Sequence, residues 1–218
     1  MSKLICIFPE DKTTDFLLPI YEQLGTLSDF VGYRFDTNDS SKTKNLYDEL
    51  LQIAENDFII FLGHGASNKL YGSVDENGEK LTLFDKKNSE GINKAIFVGI
   101  ACRSKDFADK HMSNYIGFGD ITSDYTEILA ERNIGEPDYL EWASEKDITN
   151  FRNEFVGAIV DAVKLSKCSD LCSLYRMIIL SFNKRIASLL INRHLQNYRQ
   201  IADMLYDIND EMSFHTIL

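Results

Sequence analysis

Apolar residues in the first half of the chain form short runs separated by segments with helical spacing. The runs lie at 3–8, 30–35, 57–63, 95–101 and 114–120. Their length predicts strands, and the near-continuous third and fourth runs are typical of strands buried on both faces. Strands that alternate with helices predict a parallel sheet covered on both sides. The pattern therefore predicts an α/β fold, a three-layer sandwich with a mostly parallel sheet.

The first two strands are each followed by a segment with the spacing of an amphipathic helix, near 13–25 and near 41–55. We expect Asp39 or Ser40 to cap the second helix, because short polar side chains accept hydrogen bonds from the first helical amides. The predicted buried stripe of that helix comprises Leu46, Leu50, Leu51 and Ile53.

An insert separates the third and fourth strands and contains the strongest turn signal in the chain. Asn77-Gly78 lies between two segments with strand character, 69–74 and 80–84. A tight hairpin turn needs positive φ, which Asn and Gly adopt most readily. The sequence therefore predicts a β-hairpin just beyond His64.

Beyond the fifth apolar run the pattern is helical, and we expect no further strands. Asp147 and either Ser169 or Asp170 are the expected helix caps. The last stretch fits one long helix or two. We expect an α/β domain over 1–165 and a helical C-terminal extension over 166–218 packed on the same domain.

Charge and composition restrict the partners. The chain has 34 acidic and 23 basic side chains, for a formal net charge of −11, which repels phosphate backbones and anionic lipids. The apolar run near the N-terminus is too short for a secretory signal, and no stretch is long enough to span a bilayer. We expect a cytoplasmic protein that binds neither nucleic acid nor membrane. The four cysteines lack metal-site spacing, which predicts reduced thiols and no bound metal.

One histidine and one cysteine stand where two of the buried strands end. His64 follows the third strand and Cys102 the fourth, and side chains that react with ligands gather beyond the carboxyl ends of parallel strands. A thiolate is a nucleophile, and a nearby imidazole promotes its ionisation. The helix expected after Cys102 also favours a negative sulfur. Taken singly, each residue more often has a structural role, as a buried thiol or as part of a tight loop. The occurrence of both at equivalent ends of two buried strands favours the catalytic interpretation.

The two strand ends resemble a known family. "IIFLGHGASNKLYG" and "AIFVGIACRSKDFA" are similar to the paired motifs of caspase-like cysteine peptidases of clan CD, closest to the CHAT-domain type. The resemblance covers about residues 1–165. It implies that Cys102 is the nucleophile, that His64 is the general acid/base, and that the backbone amides of Gly65 and Cys102 form the oxyanion hole. It also implies that no metal or organic cofactor takes part.

The residues that would choose a substrate are less clearly marked. Several clan members that cut after basic residues carry an acidic residue just before the cysteine, whereas residues 99–101 are Gly-Ile-Ala here. Arg103, Asp120 and Asp124 are the candidate substrate-binding residues. The alternative for the two aspartates is a helix cap or a solvated charge. The sequence leaves the cleavage preference open.

The resemblance implies a cysteine endopeptidase that cleaves a protein substrate with a His-Cys dyad. By the same analogy it would be the proteolytic effector of a bacterial antiviral defence or stress system, with an activating or inhibitory partner protein. One alternative is a catalytically silent caspase-like binding module that engages a partner. Another is a hydrolase or transferase that acts on small molecules.

Overall fold

The computed structural model describes residues 3–217 and contains two sheets. The strands are β1 (Leu4–Pro9), β2 (Phe30–Phe35), β3 (Phe58–Leu62), β4 (Gly65–Ala66), β5 (Lys69–Val74), β6 (Lys80–Phe84), β7 (Ile96–Ile100), β8 (Asn114–Gly117) and β9 (Ser213–His215). The main sheet has the order β2-β1-β3-β7-β8-β9, in which only the β8–β9 pair is antiparallel. The small sheet, β4-β5-β6, is antiparallel.

Helices cover both faces of the main sheet. They are α1 (Leu18–Leu24), α2 (Ser40–Leu50), α3 (Ser104–His111), α4 (Tyr125–Ile134), α5 (Glu145–Ser166), α6 (Leu171–Asn192) and α7 (Tyr198–Glu211), with short 3-10 helices at Asp15–Leu17 and Ser89–Gly91. Alternate residues of β1 face opposite layers, as the two-residue period of a strand requires. Cys6 packs with α1, α5, α6 and α7, whereas Ile5 and Ile7 pack with α2, α3 and the hairpin. The predicted three-layer α/β sandwich is confirmed.

The predicted hairpin is present. β5 and β6 pair as antiparallel strands, and Gly78 in the connecting turn has a φ of 83°, a conformation that favours glycine. Lys80 is the first residue of β6. The insert therefore brings a lysine to the carboxyl edge of the main sheet, near the end of β3.

The expectations for α2 hold in part: its start and cap are as predicted, but it ends at Leu50, short of the predicted end near residue 55. Asp39 is the N-cap and accepts hydrogen bonds from the amides of Ser41 and Lys42. Three members of the predicted stripe are buried: Leu46, Leu50 and Ile53. Leu51 is 72% exposed, so its place in that stripe was wrong. The helix ends at Leu50, and the following turn directs the next side chain to solvent.

The C-terminal part differs from the sequence prediction in its last element. A ninth strand, β9, pairs with β8 so that His215 lies opposite Tyr115. The expectation that strands stop after the fifth apolar run was therefore wrong, because three residues at the sheet edge are too few to show a period. The last helical stretch is two helices, interrupted at Arg193, which adopts the left-handed conformation.

The caps of the long helices were predicted in part. Asp170 caps α6, accepting from the Ser173 amide. The cap of α5 is Ser144, not Asp147. Asp147 is the fourth residue of that motif, and its carboxylate accepts a hydrogen bond from the Ser144 amide in a capping box.

Candidate active site

His64 and Cys102 lie at the same edge of the main sheet. β3 and β7 are parallel neighbours in which Leu62 pairs with Ile100, and each functional residue stands two positions beyond its strand. Both side chains line one small cavity. The expectation that the two strand ends meet is therefore confirmed by the strand pairing.

Gly65 is required by the close approach of the two loops. A Cβ at this position would lie 2.5 Å from the carbonyl oxygen of Cys102 and 3.1 Å from the Ala101 side chain. No larger residue fits without moving the backbone beside the sulfur. Within residues 3–217, the Cys102 N–H has no hydrogen-bond acceptor, so it is available to a ligand.

Both ring nitrogens of His64 have partners. Nε2 lies 2.7 Å from the Thr13 hydroxyl and 3.5 Å from Oδ2 of Asp11, and Nδ1 lies 3.2 Å from the Lys80 ammonium. An ammonium group can only donate, so Nδ1 is the acceptor and Nε2 carries the hydrogen. Burial, and then the charge of Lys80, hold the pKa of His64 below its ordinary value, although Asp11 opposes them. The ring is neutral near pH 7.

The Cys102 thiol is also neutral. Its Sγ donates to the carbonyl oxygen of Ile121 at 3.3 Å, a bond that favours the protonated thiol. Burial raises the pKa of the thiol above its ordinary value. The carboxylates of Glu127 and Asp120 raise it further. We expected the start of α3 to favour the thiolate, but desolvation outweighs that effect. Among the described residues, His64 and Cys102 share no hydrogen bond.

Cys102 also opens into a larger cavity with acidic walls. Its volume is about 430 Å³, and it is lined by Cys102, Asp120, Ile121, Thr122, Glu127, Glu131, Glu136 and Tyr139. Four of these eight side chains are carboxylates, and no lysine or arginine lines the cavity. Asp120, Glu127, Glu131 and Glu136 make no ion pair within the part of the chain that the structure describes.

The carboxylates of this cavity affect one another. Desolvation raises the pKa of Glu127 above its ordinary value, and the carboxylates of Asp124 and Glu131 add to the rise, while the cation of Lys80 opposes it. A positive group placed inside would oppose this rise, because an opposite charge favours the ionised carboxylate. The cavity beside the sulfur is therefore suited to a cation.

The three candidate substrate-binding residues have different surroundings. Asp120 lines the acidic cavity beside Cys102. Asp124 caps α4 by accepting from the Thr126 amide at 2.8 Å, which is the helix-cap alternative. Arg103 has a left-handed backbone at the start of α3, and its guanidinium pairs with Asp106 at 2.9 Å.

Sequence reasoning missed four residues that surround the dyad. Asp11 and Thr13 follow β1, the neighbour of β3, so the same rule that identified His64 would have found them once the strand order was known. Lys80 lies in the hairpin insert, and no local sequence pattern predicts that this hairpin folds towards His64. Glu127 lies in the first turn of α4 and contributes to the acidic cavity only because that helix lies over the strand ends.

Comparisons with known proteins give no assignment: no family model matches the chain, and no curated protein resembles it in sequence. In residues 3–217, none of the helices is both long and apolar enough to cross a membrane. The same residues contain no group of three or more His, Cys, Asp or Glu side chains placed to hold a metal ion.

Proposed function

We propose that the protein is a cysteine endopeptidase whose nucleophile is Cys102 and whose general acid/base is His64. The observation that carries the proposal is the in-register position of these two residues beyond β3 and β7, where both line one cavity. The resemblance of the two strand ends to CHAT-type caspase-like peptidases supports the same roles. No cofactor enters the proposed reaction.

In the proposed reaction the sulfur attacks the carbonyl carbon of a peptide bond, and the thiol proton passes to Nδ1 of His64. The carbonyl oxygen becomes an oxyanion, which the free N–H of Cys102 and the N–H of Gly65 stabilise. The imidazolium then gives its proton to the departing amine, leaving a thioester on Cys102. Water hydrolyses the thioester with His64 as the base, and the free thiol returns.

Lys80 must leave Nδ1 before this reaction can begin. The ammonium donates a hydrogen bond to the Nδ1 lone pair that would accept the thiol proton. The thiol donates to the carbonyl oxygen of Ile121 instead. The described arrangement is therefore a resting state of the proposed enzyme. A substrate or an activating partner protein that displaces the exposed Lys80 side chain would free the ring.

The acidic cavity supports a substrate with a positive side chain. A lysine or arginine next to the scissile bond would place its cation among the four carboxylates while its carbonyl carbon lies at Cys102. Asp120 contributes to this cavity. The carboxylate that several family members carry before the cysteine is thus replaced, in this proposal, by residues from the β8–α4 connection and α4.

A cellular role follows only by analogy. We propose, from the family resemblance, a cytoplasmic effector of bacterial defence or stress that a partner protein keeps inactive until a signal arrives. The resting arrangement of Lys80 and the protonated thiol supports such control.

Covalent labelling by substrate-like electrophiles tests the proposal. Two acyloxymethyl ketone peptides, identical except for arginine or aspartate beside the ketone, are incubated with the protein and with Cys102→Ala. We expect the arginine reagent to add one adduct on Cys102, at least tenfold faster than the aspartate reagent, as intact and peptide mass spectrometry would show. Cys172→Ala is the matched control and should be labelled like the wild type. Equal labelling of all cysteines by both reagents would contradict the proposal.

The silent binding module is the second candidate function, and one observation favours it. Both reactive side chains have hydrogen-bond partners other than each other. A protein that remains unlabelled at Cys102 after Lys80→Met, yet keeps its fold, would favour this candidate.

A further inference from the structure

The loop after β1 places a buried carboxylate against His64. Asp11 is only 5% exposed, and its Oδ2 lies 3.5 Å from Nε2 of His64, which is itself 17% exposed. Within residues 3–217 this Oδ2 is buried and has no hydrogen-bond partner. A carboxylate oxygen that is buried without a hydrogen-bond partner destabilises the folded state. Its position beside the imidazole therefore indicates a functional role.

The hydrogen bonds around Asp11 form a chain with one consistent direction. The Thr13 hydroxyl donates to Oδ1 of Asp11 at 2.7 Å, and the Thr13 amide donates to the same oxygen at 2.8 Å. The hydroxyl has given its only hydrogen, so it accepts from Nε2–H of His64. The order is therefore His64 to Thr13 to Asp11.

These hydrogen bonds determine which ring nitrogen of His64 is left for the proposed reaction. With Nε2–H directed to Thr13 and Asp11, the remaining nitrogen is Nδ1, the edge that Lys80 now occupies. A fixed tautomer is what a general base needs, since the wrong one presents a hydrogen where a lone pair is required.

We propose that Asp11 is a positioning residue for His64: it holds the imidazole through Thr13 with Nδ1 free for the Cys102 proton, and its unpartnered oxygen stabilises the imidazolium that forms. This inference rests on the proposed function. When the ring gains a proton, Oδ2 gains a positive partner at 3.5 Å. The cost of burying that oxygen is then offset in the charged intermediate.

Three charged groups act on the ring, each from a different element. Asp11 comes from the loop after β1, Lys80 from β6 and Asp124 from the start of α4. Lys80 disfavours the imidazolium, whereas the two aspartates favour it. Asp11 itself keeps a pKa below its ordinary value, because the hydrogen bonds from Thr13 and the charges of His64 and Lys80 outweigh its burial.

The test is the NMR titration of His64 in the full chain, assigned with His64→Gln. Asp11→Asn keeps an oxygen for the Thr13 hydrogen bonds but removes the charge. We expect the pKa of His64 to fall and the arginine ketone to label Cys102 about tenfold more slowly or worse. Asp15→Asn is the matched control, since Asp15 pairs with Arg34 at the surface, and it should leave the titration unchanged.

Thr13→Val keeps the test decisive if Asp11→Asn does not fold. It removes the hydroxyl and leaves the backbone amide bond to Asp11. Because the Lys80 ammonium also fixes this tautomer, Thr13→Val is made in a Lys80→Met background and compared with Lys80→Met alone. We expect the ¹⁵N shifts of His64 to show a loss of the Nε2–H tautomer. An unchanged titration in Asp11→Asn, or unchanged tautomers on adding Thr13→Val to Lys80→Met, would overturn the inference. A changed titration with no labelling of Cys102 in any variant would support the Asp11–His64 link and overturn the peptidase.

Discussion

The loop after β3 and the loop after β7 are built in opposite ways. His64 lies in a polar network in which Thr13 and Lys80 hydrogen-bond its two nitrogens. Cys102 is half-buried beside apolar side chains and carboxylates. Among the described residues its thiol has a single hydrogen bond, to a carbonyl oxygen. One loop controls the orientation and proton of an imidazole, whereas the other keeps a thiol protonated.

This difference shows that proximity alone does not make a working dyad. Burial lowers the pKa of His64 and raises that of Cys102, so both groups are neutral and neither stabilises the charge of the other. An ion pair forms only when the imidazole and the thiol hydrogen-bond to each other.

Removal of the sulfur should have the largest effect. In Cys102→Ala we expect cleavage of an arginine-containing peptide to fall by about 10³-fold or more, because the covalent step is lost. Far-UV circular dichroism should match the wild type. Cys172→Ala, which removes a thiol from α6, should retain the wild-type rate. Similar cleavage by Cys102→Ala and the wild type would show that the nucleophile lies elsewhere.

The contact between the loops is tested at Gly65. A methyl group there would meet the Cys102 carbonyl, so Gly65→Ala should lower the free energy of unfolding by about 1–3 kcal/mol and slow the labelling of Cys102. Gly91→Ala is the matched control, because nothing lies within 4 Å of the added Cβ. Urea titration of both variants measures the difference. Equal stability in the two variants would mean that the loops are not in tight contact.

The smallest effect distinguishes the two candidate aspartates. Asp124→Ala removes the cap of α4 and should lower the free energy of unfolding by about 1 kcal/mol. Asp120→Asn should change that free energy by less than about 0.5 kcal/mol but weaken the preference for the arginine ketone. The opposite result, with Asp120 stabilising the fold and Asp124 alone setting the preference, would reverse their assigned roles.

The sequence was sufficient for the frame of the fold. The apolar composition of strands such as Phe58–Leu62 predicts that they are buried. The Asn77-Gly78 turn predicts the hairpin directly. Short or edge elements were missed for a physical reason. β9 has three residues, and what makes it a strand is its pairing with β8, a contact that no local pattern encodes.

Only the site residues that directly follow predicted strands could be predicted from the sequence. His64 and Cys102 each follow a buried strand, so the sheet rule was enough to place them together. Thr13, Asp11 and Lys80 reach the imidazole through the strand order and the direction of the hairpin, which are tertiary properties. The pKa of Cys102 depends on burial, which outweighs the helix start that the sequence reveals.

The most direct test of the account is the pH dependence of Cys102 alkylation by iodoacetamide in the wild type, Lys80→Met, His64→Ala and the double variant. Burial raises the pKa of Cys102, so the wild-type profile should lie above the ordinary thiol range, and Lys80→Met alone should shift it to lower pH. The charge of Lys80 lowers the pKa of Cys102, so its loss by itself would shift the profile the other way. Only His64 accepting the thiol proton explains a downward shift, and the double variant should lose it. Lys94→Met is the surface control. A profile that moves upward in Lys80→Met, or that His64→Ala leaves unchanged in that background, would contradict the dyad.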